Sequence, residues 1–463
     1  MLSLNDTYKN SFFVIAIACI AALGGFILGF DAGVIVDGKD QISSLFLLSN
    51  FQWSCVTCVS IFGSLITIPI SGRFADKIGI KTMLLITAIG FMTGSILTAT
   101  AYNIFQLTIG RFIVGICIGI AYFGAPLFIS EIAPPHMRGS MVLLNGIAIT
   151  AGQTLSFLAG YFLHDITPNS WRLILWIEAI SATCFFLGML LMPHSPRWIA
   201  KNKGIDNSRI VLTKIRGGHS PALEKELSEI EKNLLQHFSK SYLKDLFSKK
   251  IVSVLVLGVG LGVLQQFVGI NAVMYYGPVI FETLGFNSIK NAIFATFCIS
   301  FINLIFTIIS AFLVDYVGRR TLLLSGTFIT AISMFMLGGS YLVGLGEKAA
   351  LFFMATYIIG YCISLGSLFL VIISEIYPLN IRGSAMSFVT ALQFIANLSV
   401  TITFLSLFDF LGKAETFTLF GIMSCIAFLF VYLYVPETKG LTLEQIETNL
   451  NLGKKTRKLG EIL

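Results

Sequence analysis

Apolar residues run along this chain in blocks of about 20 or more, separated by short polar breaks. The blocks lack the recurrent polar face that a helix on a water-soluble protein needs. A helix that crosses the hydrocarbon of a bilayer requires about 20 consecutive, mostly apolar residues. The pattern predicts twelve such helices, at 11–36, 51–72, 82–102, 104–131, 140–163, 171–192, 251–284, 291–315, 321–344, 349–376, 384–408 and 414–436. The one long polar interruption is 193–250. Within it, Pro221–Phe238 sets apolar residues at helical intervals among Lys and Glu, which predicts short surface helices. The first block is too long for the core of a cleavable signal and is interrupted by Asp31, so it is predicted to be the first span.

Composition agrees. Of 463 residues, 56% are hydrophobic and 12% charged, against roughly 45–50% and 25% in soluble domains. The expected fold class is an all-α membrane protein of twelve transmembrane helices. The net charge of +7 does not call for nucleic acid, because basic residues gather in the loops on one side. Arg73, Lys77 and Lys81 follow the second span, Arg138 the fourth, Arg319 and Arg320 the eighth, and Arg382 the tenth. The central loop and the tail (Lys454, Lys455, Arg457, Lys458) are basic as well. Loops of the other side are nearly free of such charge, Lys39, Lys290, Lys348 and Lys413 excepted. The positive-inside rule then places both termini and the central loop in the cytoplasm.

Eight cysteines all lie in apolar blocks, and Cys55–Cys58 has CxxC spacing without a partner pair or nearby His. Neither a disulfide framework nor a metal site is expected. His136, His164, His194, His219 and His237 are scattered over loops and span ends. With no nucleotide loop, ligand cluster or triad, an enzyme is not expected, nor a cofactor.

The two halves of the chain resemble each other. Ser130–Ser140 (SEIAPPHMRGS) matches Ser374–Ser384 (SEIYPLNIRGS) at an offset of 244 residues. Gly72–Gly79 (GRFADKIG) resembles Asp315–Arg320 (DYVGRR), and Pro193–Arg197 ends the first half as Pro436–Gly440 ends the second. Duplicated six-span halves are a transporter architecture, with the solute site near the midplane between them. The predicted organisation is a first bundle at 1–192, a cytoplasmic linker at 193–250, a second bundle at 251–436 and a cytoplasmic tail at 437–463. At these motifs, and at Gly29–Asp31 and Gln265–Asn271, the chain resembles the sugar porter family of the major facilitator superfamily. The resemblance covers nearly the whole chain. It implies the facilitator fold, two pseudo-symmetric six-helix bundles that rock to give alternating access, in a monomer of the plasma (bacterial inner) membrane.

An ionisable residue inside a span is expensive and marks function. Asp31 lies about five residues before the outer end of the first span, and Arg111 about seven after the outer end of the fourth. At about 1.5 Å per residue the two share a depth and are expected to pair. Protonating Asp31 would dissolve the pair and free Arg111, a two-state element set by proton occupancy; a permanent helix-holding salt bridge is the alternative. The resemblance supports coupling, since proton-coupled sugar porters have Asp at this position and facilitative glucose carriers typically Asn. Glu131 with Arg138 and Glu375 with Arg382 sit at cytoplasmic helix ends. Together with Arg73, Asp76, Asp315, Arg319 and Arg320 they are expected to form ion-pair networks. The resemblance implies that these networks close the cytoplasmic gate.

A sugar offers hydroxyls that donate and accept, and amides do the same. Gln265, Gln266, Asn271 and Tyr275 supply such groups on the seventh span. They do not share a stripe on an ideal helix, so Gly262, Gly269 and Gly277–Pro278 are expected to bend or break it. The resemblance implies that these four contact sugar, as does Gln393 on the eleventh span. Asn397 lies one turn further, Phe394 follows Gln393, and Gln153 on the fifth span sits at mid-depth. The chain departs from the family pattern at Gly146 (commonly Gln), Leu370 (Trp), Gly366–Ser367 (Gly-Pro), Phe394 (Trp) and His194 (Glu), losing one amide and much stacking surface. The expected function is proton-coupled symport of a monosaccharide or related polyol. The alternatives are an uncoupled sugar carrier, a porter of another solute such as inositol, and a non-transporting nutrient sensor.

Overall fold

The computed structural model describes residues 11–134, 137–218, 220–236, 246–248, 251–286, 288–378, 381–441 and 443–460. His136, His219, His237 and the end of the Pro221–Phe238 segment lie outside them. Among the described residues, twelve helices are long and apolar enough to cross a membrane. In chain order, spans one to six are Phe13–Asp37, Asn50–Ile78, Ile80–Ala99, Ile104–Ile132, Gly139–Leu163 and Ser170–Leu191. Spans seven to twelve are Val252–Tyr275, Ile289–Val314, Arg319–Val343, Glu347–Ile376, Arg382–Leu411 and Lys413–Tyr434. Short helices stand outside them at Lys39–Phe46, Pro196–Lys203, Ile205–Arg216, Pro221–Gln236 and Leu443–Asn451. An even number of crossings puts both chain ends on one face, here the end face; the other is the distal face.

The second and third spans are closer together than the hydropathy suggested. Gly72–Ile78 continues the second helix, and Gly79 alone makes the turn, at φ +84°. Gly318, at φ +104°, does the same between spans eight and nine. Only glycine adopts that backbone without steric cost, so the two halves share a motif and a conformation.

Spans one to six pack on one another, with span one against five and spans two and three against four. Seven to twelve do likewise, with nine against twelve and seven against eleven. The halves meet where span two packs on eleven and span five on eight. The apolar core reports how. One cluster, including Ile17, Phe91, Phe128 and Phe185, belongs to the first half, with Ile215 of the linker joined to it. The other fills the second half and also takes in Val34, Trp53, Leu107 and Trp171 from the distal ends of the first. The halves therefore meet through apolar packing at the distal face.

Two spans of the second half are interrupted. Span seven runs from Val252 to Phe267, turns at Gly269 (φ +95°), and resumes as Ile270–Tyr275 and Gly277–Thr283. Gly262 makes no break; it lets Phe369 and Gln393 approach. Span ten carries a π-turn at Cys362–Gly366, with Ser364 at φ −121°, ψ −108°. Such interruptions at membrane depth persist only where protein or a cavity surrounds them.

Candidate substrate and proton site

A cavity of about 160 Å³ lies between the halves. Its first-half wall includes Asp31, Thr57, Ser60, Arg111 and Tyr122, and its second-half wall Gln266, Asn271, Tyr275, Gln393, Phe394 and Asn397.

The charged wall is a compact cluster. Asp31 and Arg111 are 2% and 1% exposed. One Arg111 Nη donates to Asp31 Oδ1 and the other to Ser60 Oγ at 3.0 Å. Span one reaches this geometry because Gly25, Gly29 and Gly33 form a flat stripe. Their backbones lie directly on Asn145, Ile149 and Ser156 of span five, with no room for side chains. Gly115 and Gly119 similarly seat span four against Ser60 and Ser64 of span two.

The sequence reading overlooked a third member. Glu178 on span six is fully buried, accepts from Ser95 Oγ at 3.0 Å and leaves Oε2 without a partner. It lies close enough to interact electrostatically with Asp31 and Arg111. The signal was present, since Glu178 is an acid inside the predicted span 171–192. Asp31, Glu178 and Arg111 together carry a net charge of −1 if both carboxyl groups are ionised. An uncompensated charge in such a place costs several kcal/mol or more. One bound proton makes the trio neutral.

The amide wall is a connected chain. Asn271 Nδ2 donates to Gln266 Oε1 at 2.6 Å, while Gln266 Nε2 and Gln393 Nε2 both donate to Gln265 Oε1. Gln265 Nε2 is spent on the Leu365 carbonyl at 2.8 Å, inside the π-turn of span ten. Gln265 therefore backs the cavity, holding the others, and is not among its lining residues. Gln393 Oε1 is buried with no partner. Tyr275 shares a side-chain hydrogen bond with Asn397, which accepts in turn from Thr401 Oγ1 at 3.2 Å. Phe394 meets Tyr122 edge-on across the cavity, ring centroids 5.4 Å apart. Gln153 is not among the lining residues; its main chain packs against Gly29 and Gly33.

Several charged residues of the end face meet partners in their own half or in the segment that follows it. Arg319 Nη2 lies 3.0 Å from Glu375 Oε1, and Thr438 Oγ1 donates to Glu375 Oε2. Glu437, not singled out from sequence, accepts from the backbone N–H groups of Arg319 (2.9 Å) and Arg320 (3.0 Å). It thereby satisfies two of the orphan donors that a helix start leaves. Arg320 Nη2 reaches the Tyr432 carbonyl, and Arg382 that of Tyr377. In the first half, Ser195 Oγ donates to Glu131, and Lys201 lies 3.1 Å from Asp76. Arg73 is exposed. The side chains of Arg138 and Asp315 lie outside the described residues. Among the described residues no group of three or more His, Cys, Asp or Glu is placed to hold a metal ion.

Comparison with known proteins matches this architecture over its whole length. The galactose-proton symporter of Escherichia coli is 33% identical over 460 residues, covering 98% of this chain and 97% of that one. The arabinose-proton symporter of Bacillus subtilis is 33% identical over 447 residues, 94% of each. The major facilitator superfamily proton:xylose symporter solved with 6-bromo-6-deoxy-D-glucose superposes with a TM-score of 0.80 at 30% identity. That match covers 95% of this chain and 99% of the other. The family model "Sugar (and other) transporter" matches residues 17–450, and the chain belongs to that family, with the major facilitator fold.

Proposed function

We propose that this chain is a secondary active transporter that carries a monosaccharide or related polyol across the membrane together with a proton, by alternating access. The observation that carries the reading is that the Asp31–Arg111 pair and the amide chain line the same cavity. Solute and proton then act on one space. A proton taken up by Asp31 cancels the surplus negative charge of Asp31, Glu178 and Arg111 and releases the guanidinium from Asp31. The solute, uncharged, is held by donors and acceptors of Gln266, Asn271, Tyr275, Gln393 and Asn397. The free Oε1 of Gln393 accepts from a hydroxyl that replaces the water it would otherwise demand. The names of the relatives, symporters of galactose and arabinose with protons, support both parts of the reading. We infer further that the protein lies in the plasma (bacterial inner) membrane with both termini in the cytoplasm, an orientation that the excess of Lys and Arg in the loops of the end face supports. The working unit is a monomer.

Purified protein in liposomes, screened with galactose, arabinose, xylose and inositol, tests the proposal. The expected result is binding of at least one of them and a rise in external pH when it is added outside. Uptake of the bound solute with no movement of protons would overturn the coupling, and binding of none would overturn the substrate class.

A further inference from the structure

Of the four lysines on the distal loops, Lys290 and Lys39 stand on the seam between the halves. Lys290, at the start of span eight, places Nζ 2.8 Å from Asp165 Oδ2, just beyond the end of span five. Asp165 Oδ1 also meets His164 Nδ1 at 2.9 Å. His164 first and Lys290 second hold the Asp165 carboxyl below the usual carboxylate range. One helical turn deeper, Tyr161 packs on Phe294 with ring centroids 5.1 Å apart, and Lys290 Nζ lies 5.4 Å from the Tyr161 ring. The loop carrying Asp165 is pinned: Gln41 donates to the His164 carbonyl and accepts from the Trp171 N–H, both at 3.1 Å.

The opposite side of the seam holds the counterpart. Asp409, near the end of span eleven, accepts from Asn50 Nδ2 at 3.1 Å, at the start of span two. Lys39 of the first half interacts electrostatically with Glu282 and Asp409 of the second. Beneath this contact Tyr276 OH bridges to Ser54 Oγ at 3.3 Å and to the Thr401 carbonyl at 2.9 Å. Asp165 and Asp409 are separated by the same 244 residues that relate the two Ser-Glu-Ile motifs. Each ends the fifth helix of its half and meets the second helix of the other.

From this geometry we propose that Asp165 and Asp409 are repeat-related gate residues, two polar locks that hold the distal mouth closed and part in every transport cycle. The proposal rests on the alternating-access reading of the fold, but not on the identity of the solute or on proton coupling. The locks have the strength such a role requires. Asp165 and Lys290 are 58% and 39% exposed in their side chains. Water therefore competes for both, which keeps the pair weak enough to part in every cycle.

The test is a distance measurement that needs no transport. Spin labels at the distal ends of spans five and eight, in the full-length protein in liposomes without sugar, report the closed and open populations. Asp165→Asn is expected to raise the open-to-closed ratio by about two- to fivefold, the range for losing an exposed pair. Asp165→Asn with Asp409→Asn should raise it by roughly the product of the single effects. The charge exchange Asp165→Lys with Lys290→Asp should return it to the native ratio, and it guards against a loss that merely reflects misfolding. High salt should open the native protein in the same direction. An unchanged distance distribution in the double variant, or an exchanged pair no more closed than Asp165→Asn alone, would overturn the proposal.

Discussion

The two halves of this molecule descend from one pattern and have been built for different tasks. The first half keeps its helices whole and seats them backbone to backbone on glycine. It buries Asp31, Arg111 and Glu178 in that frame. The second half interrupts spans seven and ten and strings Asn271, Gln266, Gln265 and Gln393 across the gaps. A buried charge tolerates little movement, because its energy depends steeply on partners held at fixed distance in a medium of low polarity. Recognition of a neutral, many-hydroxyl solute gains from amides that rotate and from backbone that adjusts. The division therefore separates a rigid electrostatic element from a compliant reading element within one cavity.

The sharpest way to break this comparison is to remove charge from the rigid side alone. Asp31→Asn should abolish uphill accumulation driven by a pH gradient while exchange of labelled for unlabelled solute continues. Counterflow and gradient-driven uptake, measured on the same liposomes, separate the two. Persistent accumulation would assign the proton elsewhere. Glu178→Gln should lower the number of protons carried per solute or shift the pH at which uptake is half-maximal, without changing solute affinity.

Change on the compliant side should do the reverse. Gln393→Ala strips a donor from Gln265 Oε1 and an acceptor from the cavity. A buried polar group left unsatisfied costs about 1–3 kcal/mol. Solute binding, measured by calorimetry, should weaken by roughly five- to a hundredfold, with the proton-to-solute ratio intact. A variant that lost both together would show that the two walls cannot be treated apart. The smallest effect concerns the frames themselves. Gly29→Ala drives a methyl into the Ile149 carbonyl, an overpacking that costs about 1–3 kcal/mol. Gly146→Ala meets nothing within 4 Å. Thermal unfolding in detergent should fall clearly for the former and stay near native for the latter.

What the sequence disclosed follows the same division. Hydropathy placed every span, because water and hydrocarbon enforce that pattern residue by residue. That Asp31 and Arg111 share a depth followed from position alone, since two helices crossing the same slab convert sequence position into height. Lateral position is another matter. Glu178 shares that neighbourhood through the packing of span six against one and three, which no count along the chain supplies, although its place inside an apolar block marked it. The misfit of the four polar residues on span seven with one helical stripe announced an interruption there. Which amide would face the cavity and which would stand behind it depended on the turn at Gly269 and on the Leu365 carbonyl exposed by span ten. The distal acids were hidden for a similar reason. Their offset could be read, but their partners belong to the other half.

Gly79 and Gly318 carry a mechanical consequence. A single-residue turn leaves no slack between consecutive helices, so spans two and three cannot slide lengthwise past each other by even one 5.4 Å pitch, and neither can eight and nine. Each pair behaves as a stiff yoke near the end face, where a torque on one member is borne at once by its neighbour. Relative travel between the bundles then falls on the long connection from Met192 to Val252, which has length to spare.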